Sequence, residues 1–221
     1  MVLLSHDQHP DNLDNAGRAF LSGAPLALST PEAAQRLGGP VQALPAWESV
    51  DLPLAGGGVL RITGVPAQHG PDGSLPYVGP VTGFVVAGDG LPTVYVSGDN
   101  ASLDVVRAIA ERVGPVDVAV LFAGAARTKV LDGAYLTLTS DAAAEAARLL
   151  GASLVIPLHF EQWAHFSQGR DTLAGAFERA GLGAWVSNGG RAAYRVRRMR
   201  PYGRASSAQR SSVARTAFFM D

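Results

Sequence analysis

Four short apolar runs in this chain each stop just before a histidine or an aspartate, and that recurrence constrains the fold more than any other feature. The runs are Val2-Leu3-Leu4, Val59 to Val65, Thr93 to Ser97 and Ser153 to Leu158. Their length and apolar, β-branched content predict buried strands. They are followed, in turn, by Ser5-His6-Asp7-Gln8-His9-Pro10-Asp11, by Pro66-Ala67-Gln68-His69, by Gly98-Asp99, and by His159. Sheet proteins gather ligands and metals where strands end, so these residues are expected on one rim. Taken singly, each has a plainer explanation. A lone surface His or Asp is usually solvated, Asp99 could open the next helix, and His159 could be a core histidine. The joint pattern carries the inference.

The segments between the runs fit a layered molecule. Leu13, Gly17, Phe20 and Leu21 recur at helical spacing until Gly23, and Thr30-Pro31 caps a second helix that Gly38-Gly39-Pro40 ends. Trp47 to Pro53 and Val59 to Val65 read as strands around Gly56-Gly57-Gly58, and Thr82 to Ala87 as another before the Asp89-Gly90 turn. Ser102 caps a helix carrying Leu103, Val106, Ile109, Ala110 and Val113 on one face. Val116 to Phe122 is a buried strand, 141–150 an Ala-rich helix, 171–180 a helix, and 185–196 a closing hairpin. Residues 66–80 form a Gly/Pro-rich loop. Consecutive strands first, then alternating strands and helices, imply a layered α/β (α+β) fold.

Composition narrows the function. There is no cysteine among the 221 residues, which removes disulfides, thiolate-zinc sites and a cysteine nucleophile. No run reaches the ~18 apolar residues of a membrane span, and no signal peptide opens the chain, so a cytoplasmic protein without membrane contact is expected. Six Arg and one Asp lie in 197–221, leaving residues 1–196 acidic. That balance speaks against nucleic-acid binding. The Arg-rich 197–221 tail reads as disordered, and 1–196 as one domain. Imidazole and carboxylate without thiolate suit Zn2+ or Mn2+. A nucleotide-binding domain through Gly98 is disfavoured, because no Gly-x-Gly-x-x-Gly turn is present.

The order of these motifs resembles the metallo-β-lactamase superfamily, and within it the ascorbate-6-phosphate lactonase-like branch. Its pattern is His-x-His-x-Asp-His after a strand, then a single His, a Gly-Asp and a final His. The corresponding pieces are the opening cluster, His69, Gly98-Asp99 and His159. The resemblance implies a four-layer αββα sandwich and hydrolysis of an ester, lactone or phosphodiester by a metal-bound hydroxide on one or two ions. It further implies metal ligands at His6, His9, Asp11, His69, Asp99 and His159, with Asp99 bridging and Asp11 orienting the nucleophile. Asp11 and His165 are the expected catalytic residues, His165 lining the pocket or orienting a neighbour.

Two departures from that pattern set further expectations. The opening motif is irregular, so His6 and Asp7 compete for one ligand position, and Asn12 stands where a third His is usual. The family also places several strands before its first motif, so a free sheet edge is expected beside Val2-Leu3-Leu4 in an N-terminally incomplete sandwich. A small-molecule substrate and a possible homo-oligomer complete the expectations, with a binding or scaffold protein lacking turnover as the alternative.

Overall fold

Apolar runs that alternate with one-sided helices can bury both only by stacking in layers. The computed structural model describes residues 1–183 and, beyond them, the backbone of two strands, Trp185–Asn188 and Arg191–Arg195. The 197–221 tail lies outside the described residues.

The first layers come from residues 1–43. Strands β1 (Val2–Leu3), β2 (Ala27–Ser29) and β3 (Val41–Ala43) form a parallel sheet in that order. Helices α1 (Asn15–Ser22) and α2 (Pro31–Leu37) connect them. Asp14 accepts the Gly17 N–H and Thr30 the Ala33 N–H, caps worth about 1 kcal/mol each. Leu4, Leu13, Leu21, Ala27 and Val41 form the seam between these helices and their sheet.

The second sheet is larger and mixed. Strands β4 (Ser49–Pro53), β5 (Val59–Pro66), β6 (Thr82–Gly88) and β7 (Val94–Val96) run antiparallel, each beside the next. From β7 the sheet continues in parallel through β8 (Val118–Phe122) and β9 (Leu154–Leu158). The hairpin of β10 (Trp185–Asn188) and β11 (Arg191–Arg195) closes it, with β11 against β9. A single turn, α3 (Leu75–Val78), interrupts the loop after β5. Helices α4 (Leu103–Val113), α5 (Ser140–Leu149) and α6 (Arg170–Arg179) supply the outer layer. Val106, Ile109, Leu121, Ala146, Val155 and Phe177 are among the buried residues of that seam. Leu28, Ile62, Phe84, Val96, Val120 and Phe122 fill the space between the sheets. The layers are therefore helix, sheet, sheet, helix, as expected.

Three local differences from expectation have physical causes. β3 and α3 have three and four residues, too few for any period to show. The first hairpin begins at Ser49 rather than Trp47. Trp47 has φ +71° and carries the Arg112 guanidinium 4.1 Å from its ring centre, which ties the hairpin to α4.

Strand β1 is the outer strand of its sheet; Val2 and Leu4 donate their N–H groups inward, to Leu26 and Leu28. A groove of about 560 Å3 opens along its other side, lined by Leu3, Leu13, Phe84, Val120, Phe122 and Leu158 among others. Among the described residues no helix is long and apolar enough to cross a membrane.

Candidate metal centre

Each candidate side chain reaches the rim from a strand end, held there by local chemistry. After β1 the chain turns through Ser5 to Asn12, and the Asn12 amide donates to the His6 carbonyl, bracing that turn. After β5, Ser74 donates to the His69 carbonyl at 2.6 Å. After β7, Gly98 sits at φ +55°, where L side chains are strained. A Cβ there would come within 2.5 Å of both Ser5 Oγ and the Thr82 carbonyl. Asn100 joins two of these loops: its side-chain oxygen accepts the Gln68 N–H at 3.0 Å, and Gln68 O accepts the Ala101 N–H at 2.7 Å. After β9, His159 itself adopts φ +57°, a left-handed conformation uncommon outside glycine.

Two groups of ligand atoms result, each lying within 4.8 Å of one another. The first is His6, His9, His69 and Asp99; the second is Asp11, His159 and His165. Asp99 faces both groups. Its Oδ2 lies 3.8 Å from His6 Nε2 and 3.5 Å from His69 Nε2, while Oδ1 lies 3.5 Å from His159 Nε2. Asp11 Oδ2 lies 3.3 Å from His159 Nε2 and 2.8 Å from His165 Nε2. In the first group His9 Nδ1 is 3.0 Å from His6 Nε2 and 3.3 Å from His69 Nε2.

This arrangement suits a cation. His69 Nδ1 lies 2.8 Å from the Leu136 carbonyl, which can only accept, so Nδ1 carries the proton. In the neutral ring Nε2 is then free to ligate, with His9 Nδ1 3.3 Å and Asp99 Oδ2 3.5 Å away, a convergence of ligand atoms that a cation can satisfy together. Among the described residues, Asp99 Oδ1 and His159 Nε2 are buried without a well-formed hydrogen bond; they approach each other at 3.5 Å, and His159 Nε2 approaches Asp11 at 3.3 Å. Such atoms are costly to bury unless something binds them.

Electrostatics favours ligand-ready protonation in part of the set. Burial pushes His6 down to about 4, outweighing the pull of Asp99, so the ring is neutral at pH 7. His9 is also lowered, mainly by burial. Burial works to raise Asp11, but His159, His165 and His9 outweigh it and hold the carboxyl well below its ordinary range. For His159 burial is overcome by Asp99 and Asp11, so the ring is raised toward the charged form. A bound cation would displace that proton, since ligation needs the neutral ring.

The structure also separates residues that sequence left together. Asp7 turns away from the cluster to a two-pronged pair with Arg36, at 2.5 and 2.9 Å, while His6 enters it. The Arg36 hydrogen bonds hold the Asp7 carboxyl below its usual value. Asn12 braces the turn, its amide on the His6 carbonyl. His165, expected with Asp11 as a catalytic residue rather than a ligand, joins Asp11 and His159. The positioning part of Asn100 is also new. Its only signal in sequence is a short polar side chain directly after Gly98-Asp99.

Comparison with known proteins finds relatives in sequence and in fold. A UPF0173 metal-dependent hydrolase from Methanosphaerula palustris is 36% identical over 133 residues, covering 56% of each chain. Another, from Methanocorpusculum labreanum, is 30% identical over 193 residues, covering 81% of this chain and 74% of the relative. The chain thus matches little more than half the length of the first of these relatives. Among solved structures, an isothiocyanate hydrolase from Delia radicum gut bacteria shares the fold with a TM-score of 0.66 at 19% identity, over 81% of this chain and 71% of that one. The family model described as the beta-lactamase superfamily domain matches residues 1–160. That stretch supplies every candidate ligand except His165, and by it the chain belongs to the β-lactamase superfamily.

Proposed function

We propose that this chain is a metal-dependent hydrolase that cleaves an ester, lactone or phosphodiester bond in a small-molecule substrate. The observation that carries this reading is the convergence of buried imidazole and carboxylate ligand atoms in two groups, with Asp99 Oδ2 toward His6 and His69 and Oδ1 toward His159. His6, His9, His69 and Asp99 would hold one ion, and Asp11, His159 and His165 a second, with Asp99 shared. One or two Zn2+ or Mn2+ ions suit this nitrogen and oxygen set, which contains no thiolate. When bound, such ions acidify water to a pKa of about 7 and polarise the bond under attack.

The remaining work falls to the chain's own groups. Asp11, held anionic, can accept a proton from the attacking water. His165 Nε2 lies 2.8 Å from Asp11 Oδ2 and is about one-third exposed, which sets this side of the centre next to solvent. Phe166 packs edge-on against both His159 and His165 and fixes their ring planes. The lactonase-like branch gives the nearest substrate class, a strained cyclic or activated ester, and a small metabolite in solution fits a chain with no membrane-crossing helix among its described residues.

The test is chelation and add-back with p-nitrophenyl esters, a γ-lactone and bis(p-nitrophenyl) phosphate. Turnover of at least one should vanish with chelator and return with Zn2+ or Mn2+. His69→Ala and Asp99→Asn should each lower kcat/KM by about a hundredfold or more, since even outer-shell changes cost 10–100-fold. Less than about half an equivalent of bound metal with no turnover after add-back would leave the binding or scaffold role instead.

A further inference from the structure

A shallow, solvent-open depression lies on the surface beside His165. Arg127, Thr128, Lys129, Asp132, His165 and Ser167 line it, so two cations face one carboxylate. Neither Arg127 nor Lys129 has an ion-pair partner among the described residues.

Arg127 is held in place rather than loose. Its backbone N–H donates to the His165 carbonyl at 3.0 Å, and its Nε donates to the Gly133 carbonyl at 2.6 Å. Its guanidinium lies 5.1 Å from the Tyr135 ring centre. The Ala126–Phe166 and Arg127–Tyr135 bridges fasten this loop to the segment bearing His165. The Nη nitrogens are left without an acceptor among the described residues. A fixed guanidinium with open donors loses little entropy on binding a planar or tetrahedral oxyanion.

We propose that this depression is the subsite for an anionic group of the substrate, a carboxylate or a phosphate, bound by Arg127 and Lys129 while the scissile bond lies at Asp11 and His165. The placement of the scissile bond rests on the hydrolase reading; the anion subsite can be measured without it. Glutarate, propylphosphonate and neutral glutaramide are titrated into the full chain by calorimetry. At least one anion should bind saturably and glutaramide should not. Affinity should fall about tenfold or more in Arg127→Ala/Lys129→Ala, and should fall again as NaCl rises from about 50 to 500 mM. Tighter binding of glutarate assigns a carboxylate, and of propylphosphonate a phosphate. Loss of Arg127 also removes its bond to Gly133, so Lys129→Glu, which keeps that bond, is the second variant and should weaken binding as well. No saturable anion binding, equal binding of glutaramide, or unchanged affinity in both variants would overturn the subsite.

A parallel assay compares mono-p-nitrophenyl glutarate with p-nitrophenyl valerate. A kcat/KM preference of about tenfold for the anionic ester should shrink in the variants. Anion binding with no turnover of any ester defeats the hydrolase reading and leaves the subsite. Turnover with no anion binding and no preference defeats the subsite alone.

Discussion

At Gly98 a single hydrogen atom in place of a side chain lets three parts of the site meet. Its φ of +55° and its approach to Ser5 Oγ and the Thr82 carbonyl set where Asp99 emerges. Gly98→Ala combines left-handed strain with backbone overlap and should cost about 2–4 kcal/mol of stability, read as a lower urea midpoint, together with weaker metal binding. An unchanged midpoint would show that the loop relaxes freely. Asp7 gives a pH test at the same scale. Arg36 holds its carboxyl below the ordinary 3.8, so the pair stabilises the fold above that pH, and the contribution is lost as pH falls through the lowered value. Arg36 is about half exposed, so solvent screening limits the pair to about 1–2 kcal/mol. Urea midpoints of wild type and Arg36→Ala should differ by a constant amount above about pH 5 and converge below it. A gap that widens in acid would contradict this assignment. The same pair explains why His6 and Asp7 could not be told apart in sequence. Arg36 is 29 residues away from Asp7, and no local pattern signals which of two adjacent polar residues a distant guanidinium will capture.

At the scale of elements, strand ends were the legible part. β5, β7 and β9 stop where the apolar runs stop, and His69, Asp99 and His159 follow them. Burial drives both the run and its end, so hydrophobicity alone places them. The caps at Thr30 and Ser102 were equally readable, because capping is local chemistry. The loop bearing His165 was not. It leaves β9 through His159 in the left-handed region, and Gln162 repeats that conformation at φ +77°. Non-glycine residues rarely adopt it, so the path by which the loop folds back was not readable, although His165 itself was expected at the site with Asp11. The positive φ at His159 is itself a mark of a site, where strain is tolerated because packing enforces it.

For the molecule as a whole, the two sheets meet so that β1 from one and β5, β7 and β9 from the other converge on a shared rim. Tertiary packing, not any one motif, makes the centre. Asp99 connects its halves, with one oxygen toward His6 and His69 and the other toward His159. The groove along β1 reaches the centre at Asp11, and the cation-lined depression reaches it at His165. The central claim is that this rim holds divalent metal, and anomalous diffraction at the zinc edge from Zn2+-soaked crystals tests it most directly. A peak among His6, His9, His69 and Asp99 is expected, with a second beside Asp11, His159 and His165 if two ions bind, and the first lost in Asp99→Asn. Soaked crystals with no peak at either group, or with zinc only at surface carboxylates, would contradict it.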